Sequence, residues 1–109
     1  MNTEPELLAV TLFVSNVPAS ITFYSALGIQ FDDDLHGGVG ASVIGLHPAS
    51  EKWPTTRTAL SLTVPSLGLV TAALDGIDAA WEPTLGMNGK VIRATDPDGN
   101  RVLVAQQVQ

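Results

Sequence analysis

The side chains of this 109-residue sequence that could do acid–base or metal chemistry are few. His36 and His47 are the only imidazoles, and Asp32, Asp33, Asp34 and Glu51 lie near them along the chain. Imidazole with carboxylate is a common donor set for a divalent transition metal. However, His36 stands in a His-Gly-Gly stretch that reads as a turn, and His47 precedes a proline, so both read as surface residues. Cysteine is absent, which removes a thiolate metal site, a cysteine nucleophile and a disulfide framework. No Ser/His/Asp arrangement, phosphate-cradling glycine loop or paired-carboxylate motif stands out. The sequence therefore assigns no catalytic residue, no metal ligand and no cofactor.

Recognition chemistry is better represented. Trp53, Trp81, Phe31 and Met87 are of a type that stacks on or covers a planar ligand. Trp53 falls in a proline-broken stretch where burial is not automatic, which favours a binding role, whereas Trp81 reads as core or subunit interface. Asp33 is the middle of three consecutive acids, which form either a solvated strand end or an acidic rim that attracts a cationic ligand. Arg93 interrupts an apolar strand, so it is either exposed or placed to pair with an anionic group. Arg101 follows a turn and reads as a hairpin stabiliser.

Composition bounds the partners. Eleven acidic against five basic residues give a net charge of -6, and a nucleic-acid surface would need a basic face. Apolar residues make up 45% and charged residues 15%, which excludes disorder by composition. The acidic start Asn2-Thr3-Glu4-Pro5-Glu6 is unlike a signal or transit peptide. No apolar run approaches the roughly 20 residues of a membrane span. A soluble cytoplasmic protein with a small-molecule partner is the expectation.

The elements that must position these residues come in two similar sets. Leu7 to Val14 reads as a buried strand, Asn16 as a helix cap, and Val17, Ile21, Tyr24 and Leu27 recur at helical spacing before Gly28. Ile29 to Asp33 reads as a short strand, and Val39 to Leu46 as one glycine-laced strand or two. After a linker over 47–57 the pattern restarts. Ala59 to Val64 alternates as a strand, Leu67, Val70 and Leu74 mark a helix, and Ile77 to Glu82 and Lys90 to Thr95 read as strands. Asp96-Pro97-Asp98-Gly99-Asn100 is a strong turn before a last strand over Arg101 to Gln107. Val14-Ser15-Asn16-Val17 aligns with Val64-Pro65-Ser66-Leu67, and Gly28-Ile29 with Gly76-Ile77. Two such units would pair into one domain.

Two stretches resemble the glyoxalase/bleomycin-resistance/extradiol-dioxygenase (vicinal oxygen chelate) superfamily. One runs from Leu12-Phe13-Val14-Ser15-Asn16-Val17-Pro18 through Phe23-Tyr24-Ser25-Ala26-Leu27-Gly28-Ile29, and the other is Asp96-Pro97-Asp98-Gly99-Asn100-Arg101. The resemblance implies an α+β fold of two βαβββ-type modules (7–46 and 58–108) forming one domain, with a curled sheet around a cavity and the first module shortened. It also implies a homodimer. The family's metal ligands, carried over by position, fall on Ala9, Ala59 and Leu103, with the fourth near Gly45. None of these side chains offers a donor, so the resemblance points to metal-independent binding of a cationic or aromatic ligand, such as an antibiotic. The alternative is a glyoxalase-type lyase or isomerase acting on a small metabolite.

The period of two in each first strand fits this picture. It places Ala9, Thr11 and Phe13 opposite Val10, Leu12 and Val14, and Ala59, Ser61 and Thr63 opposite Leu60, Leu62 and Val64. The larger aliphatic set suits a face under a helix. Thr11, Phe13, Ser61 and Thr63 either line the cavity or face water.

Overall fold

A computed structural model of the chain describes residues 3–84 and 90–107. Strand β1 (Ala9–Val14) leads into helix α1 (Val17–Ala26), then β2 (His36–Val39) and β3 (Ser42–Pro48). Strand β4 (Ala59–Val64) leads into α2 (Leu67–Gly76), then β5 (Trp81–Pro83), β6 (Val91–Thr95) and β7 (Arg101–Gln106). The first sheet has the order β1-β3-β2 and the second β4-β7-β6-β5. In both, the strand before the helix runs parallel to the last strand of its module, and the remaining pairs are antiparallel. The sheets are open, with β1 and β4 at their edges.

The helices start where the side chains allow. Asn16 accepts a hydrogen bond from the Ala19 N–H at 3.0 Å, and the Ser66 hydroxyl accepts one from Leu69 N–H at 3.3 Å. Each satisfies a donor that the first helical turn leaves unpaired. Each helix covers one face of its sheet. Leu12, Val14, Ile44 and Leu46 lie under α1 with Phe23, Tyr24 and Leu27, while Val64, Val102 and Val104 lie under α2 with Val70 and Leu74. All belong to one continuous core, so the modules form a single folded unit.

The structure shifts the repeat by two residues from the alignment of Gly28 with Gly76. Gly28 (φ 99°) and Asp78 (φ 56°) are the equivalent left-handed residues. The next amides, Ile29 N–H and Ala79 N–H, both donate to the matching helical carbonyls of Tyr24 and Leu74. Aspartate is among the few residues with a Cβ that enter this conformation, so the equivalent position needs no glycine and the correspondence is hidden. The first module is the shorter because Phe31 makes only a single bridge, to Gly37, where Trp81–Pro83 forms a strand along β6.

The His36-Gly37-Gly38 stretch, expected as a turn, is instead strand β2, and the turn precedes it. Asp32 accepts from the N–H groups of Asp34 and His36 at 2.9 Å each, and Leu35 takes the left-handed conformation (φ 64°). Glycine is needed inside the strand because a Cβ at position 37 would lie 2.3 Å from Ile29 Cγ2.

A buried polar clamp joins the modules through the β6–β7 turn. Asp96 receives the Tyr24 hydroxyl at 2.7 Å, the Asn100 side-chain amide at 3.1 Å, and the N–H groups of Asp98 and Asn100. Asp98 accepts from the N–H and hydroxyl of Ser15, and Asn100 Oδ1 accepts from Thr58 N–H at 2.8 Å. One five-residue turn thus ties α1, the end of β1 and the start of β4 together.

Candidate functional site

The face of each sheet turned away from its helix is open, and the register decides which side chains stand on it. In the first module Thr11 pairs with Gly45 and Gly45 with His36, while Phe13 pairs with His47. Partners in a ladder share a face, so Ala9, Thr11, Phe13, His36, Gly45 and His47 lie together. In the second module Ala59, Ser61 and Thr63 pair with Arg101, Leu103 and Ala105, and Arg93 lies beside Leu103.

The open face of the first module is aromatic. The rings of Phe13 and Trp53 stack with centroids 5.2 Å apart and planes 9° from parallel, and His47 approaches Phe13 at 5.9 Å. The backbone N–H of Trp53 donates to the Ser50 hydroxyl at 3.0 Å, and the residue remains 54% exposed. The indole thus rests on phenylalanine while more than half of the residue's surface stays exposed. The His36 ring lies over Gly45, where a Cβ would come within 3.1 Å of His36 Cδ2 and 3.5 Å of Nε2. Both histidines, expected at the surface, are exposed and stand on this face.

On the second module's open face is a hollow of about 210 Å³, lined by Ser61, Thr63, Val91, Leu103 and Ala105. Arg93 pairs with Glu82, the residue opposite it in the ladder. The remaining singled-out residues lie elsewhere. Phe31 packs against the core beneath Gly37, and Asp33 is exposed at the tip of the turn that Asp32 caps. Met87 lies outside the described residues. Trp81 is half-buried, its indole N–H donating to Asp75 at 2.7 Å. Thr11, Phe13 and Trp53 are thus brought to one face, and Ser61, Thr63 and Arg93 to the other. The sequence places Leu103 at a ligand position of the family, but it does not reveal His36 and His47 as open-face residues or Ala105 as part of the hollow. These residues reach the open faces through the pairing of β2, β3 and β7 with their neighbours, which no local pattern shows.

The ligand positions of a metal centre do not fit one. Register confirms that Gly45 and Leu103 occupy matching places, opposite Thr11 and Ser61. Glycine, leucine and the two alanines supply no lone pair. Among the described residues no three histidine, aspartate or glutamate side chains converge as a metal cluster. Nor is any helix among them long and apolar enough to cross a membrane. Among the described residues the one strongly shifted titrating group is Tyr24, whose phenol is pushed well above its usual value by burial, then by its hydrogen bond to Asp96 and the charges of Asp96 and Asp98. That group belongs to the clamp and not to either open face.

The family described as Glyoxalase/Bleomycin resistance protein/Dioxygenase superfamily matches residues 6–104. No curated protein matches this sequence closely enough to count as a relative. Among solved structures, TnmS3, an antibiotic binding protein from Streptomyces sp. CB03234, superposes with a TM-score of 0.76 at 18% identity, covering 99% of this chain and 100% of that one. A lactoylglutathione lyase from Agrobacterium tumefaciens superposes at 0.68 with 14% identity, covering 96% of each chain. A superfamily member from Sphaerobacter thermophilus DSM 20745 superposes at 0.69 with 18% identity, covering 97% of this chain and 100% of that one. At these identities the likeness is one of fold.

Proposed function

We propose that this chain, which belongs to the glyoxalase/bleomycin resistance protein/dioxygenase superfamily, is a metal-independent binding protein for a small aromatic molecule. The observation that carries the reading is the exposed Trp53 indole, stacked at 5.2 Å on Phe13 on the open face of the first module. A backed, half-exposed indole offers large apolar area and a π-face at little entropic cost. Thr11, Ser61 and Thr63 supply hydroxyls for orientation on the two open faces. An antibiotic would be one ligand of this kind, and the fold is shared with TnmS3, an antibiotic binding protein. A cationic ligand would draw on Asp33 and Asp34, since the Asp32 carboxylate is taken up by its own turn.

A homodimer in the cytoplasm suits this reading, because both open faces and the edge strand β4 are available to a second copy, whereas the edge of β1 is engaged at Phe13 by Thr56. The alternative, a metal-free lyase or isomerase, draws on His36 and His47, the two proton-transfer groups that share an open face.

The test is a titration with planar aromatic antibiotics and with the cationic glycopeptide bleomycin, followed by tryptophan fluorescence in Trp81→Phe protein, where Trp53 alone reports. Saturable quenching at micromolar ligand is expected from protein extensively dialysed against chelator. A flat response to every ligand, or binding that returns only with added zinc, nickel, manganese or iron, would overturn the reading. Sedimentation analysis gives the oligomeric state.

A further inference from the structure

The chain carries only five basic side chains, Lys52, Arg57, Lys90, Arg93 and Arg101, against eleven acids. Arg93 is paired with Glu82. Arg57 and Arg101 line one groove of about 440 Å³ where the entry to β4 meets the start of β7. Both are exposed, and neither guanidinium makes an ion pair or hydrogen bond with another described residue. Two of five cations facing one groove, in a protein whose net charge is -6, is an arrangement that general solubility does not call for.

The rest of the lining suits an anion. Thr55 and Thr58 line the groove as well, the Thr58 hydroxyl donating to the Ala59 carbonyl at 3.4 Å. Asp98 is the one acid in the lining, and its carboxylate already receives the N–H and hydroxyl of Ser15. Asn100 is committed to Thr58 N–H and Asp96. Two guanidinium groups against one occupied carboxylate leave the groove positive. Guanidinium offers planar, paired donors that match a carboxylate or phosphate.

We infer that the groove between Arg57 and Arg101 binds the anionic group, carboxylate or phosphate, of a small molecule. The groove lies beside Ala59, on whose face Ser61, Thr63 and the apolar hollow also stand. An acidic head at the arginines would therefore leave a ligand's body along that face. The inference does not depend on aromatic recognition at Trp53, because the site can be probed with anions that have no ring.

The test uses the full chain in proton–nitrogen correlation spectra, titrated with inorganic phosphate and separately with acetate, against sodium chloride at matched ionic strength. The Arg57 and Arg101 side-chain Nε–H signals are expected to shift saturably with at least one of the two oxyanions. The stronger of the two identifies the head group. Arg57→Gln or Arg101→Gln is expected to weaken binding about tenfold, as the loss of one charge-assisted contact would. Lys52→Gln, which removes the same charge elsewhere, is expected to leave it within twofold. Equal weakening by Lys52→Gln would show a general charge effect and overturn the inference. So would shifts that chloride reproduces, or affinity unchanged in both arginine variants.

Discussion

Removing one oxygen from Tyr24 tests whether the modules are held together as the structure indicates. Tyr24 and Asp96 are 0% and 4% exposed, and the hydroxyl is one of four donors to that carboxylate. Tyr24→Phe keeps the ring, including its edge-on contact with Phe23 at 4.9 Å, so little packing is lost. A hydrogen bond to a charged group is worth about 1.5–3 kcal/mol, and here the acceptor stays buried. A loss of about 2 kcal/mol is expected at neutral pH, or roughly 10 °C in melting temperature for a domain of this size. The pH dependence separates this cause from a packing defect. Burial first, and then Asp96, raise the Tyr24 phenol above its ordinary value of 10.0. The native state keeps its proton where the unfolded chain releases it. Stability from this group is therefore complete below pH 10 and falls as pH rises, by about 1.4 kcal/mol per unit. Tyr24→Phe lacks that slope, so the gap between the two proteins should narrow to under about 1 kcal/mol near pH 11. Urea denaturation across this range measures the gap. Because Tyr24 is the only tyrosine, tyrosinate absorbance should appear only as the protein unfolds. A gap that stays constant with pH, or tyrosinate in the native baseline near pH 10, would refute the buried hydrogen bond.

Other perturbations probe different parts of the molecule. Gly37→Ala forces a Cβ to within 2.3 Å of Ile29 Cγ2 and should cost about 2 kcal/mol by thermal denaturation. Gly38→Ala next to it meets nothing within 4 Å and should change stability by less than about 0.5 kcal/mol. Asp98→Ala releases the Ser15 N–H and hydroxyl at an exposed junction and should cost about 1 kcal/mol in chemical denaturation. Trp53→Ala should weaken an aromatic ligand about tenfold in calorimetric titration. Its melting temperature should stay within about 2 °C, since the indole is 54% exposed.

The frame was legible where a local rule governed it. The alternation in Ala59–Val64 gave that strand to the residue, and Asn16 and Ser66 marked both helix starts because capping is a short-range hydrogen bond. Strand β2 escaped because two glycines and a histidine have no strand propensity. Only Ile29 and Phe31, packed into the space a side chain at 37 would fill, explain glycine there. The Asp96–Asn100 turn was plain in the sequence, but its second task was not. Tyr24 and Asp96 lie 72 positions apart, and nothing local indicates that a good turn is also the clamp between modules. The open faces were half legible for the same reason. Thr11 and Ser61 announced themselves by alternation, while their neighbours on β3 and β7 depended on a parallel register that no short pattern encodes.

That register also explains how one fold carries two differently furnished faces. Gly45 and Leu103 are equivalent positions, yet they furnish their faces in opposite ways. At 45 there is no side chain, and the His36 ring lies so close that a Cβ there would come within 3.1 Å of it. At 103 the side chain is present but aliphatic, and it forms the apolar floor of the hollow beside Ser61 and Thr63. The first module turns its face into an aromatic platform of Phe13, Trp53 and His47, and the second into a small apolar basin with arginine at its margin. The two modules share a frame, and because the core residues under each helix differ from those on the open face, the two faces carry different side chains over similar packing.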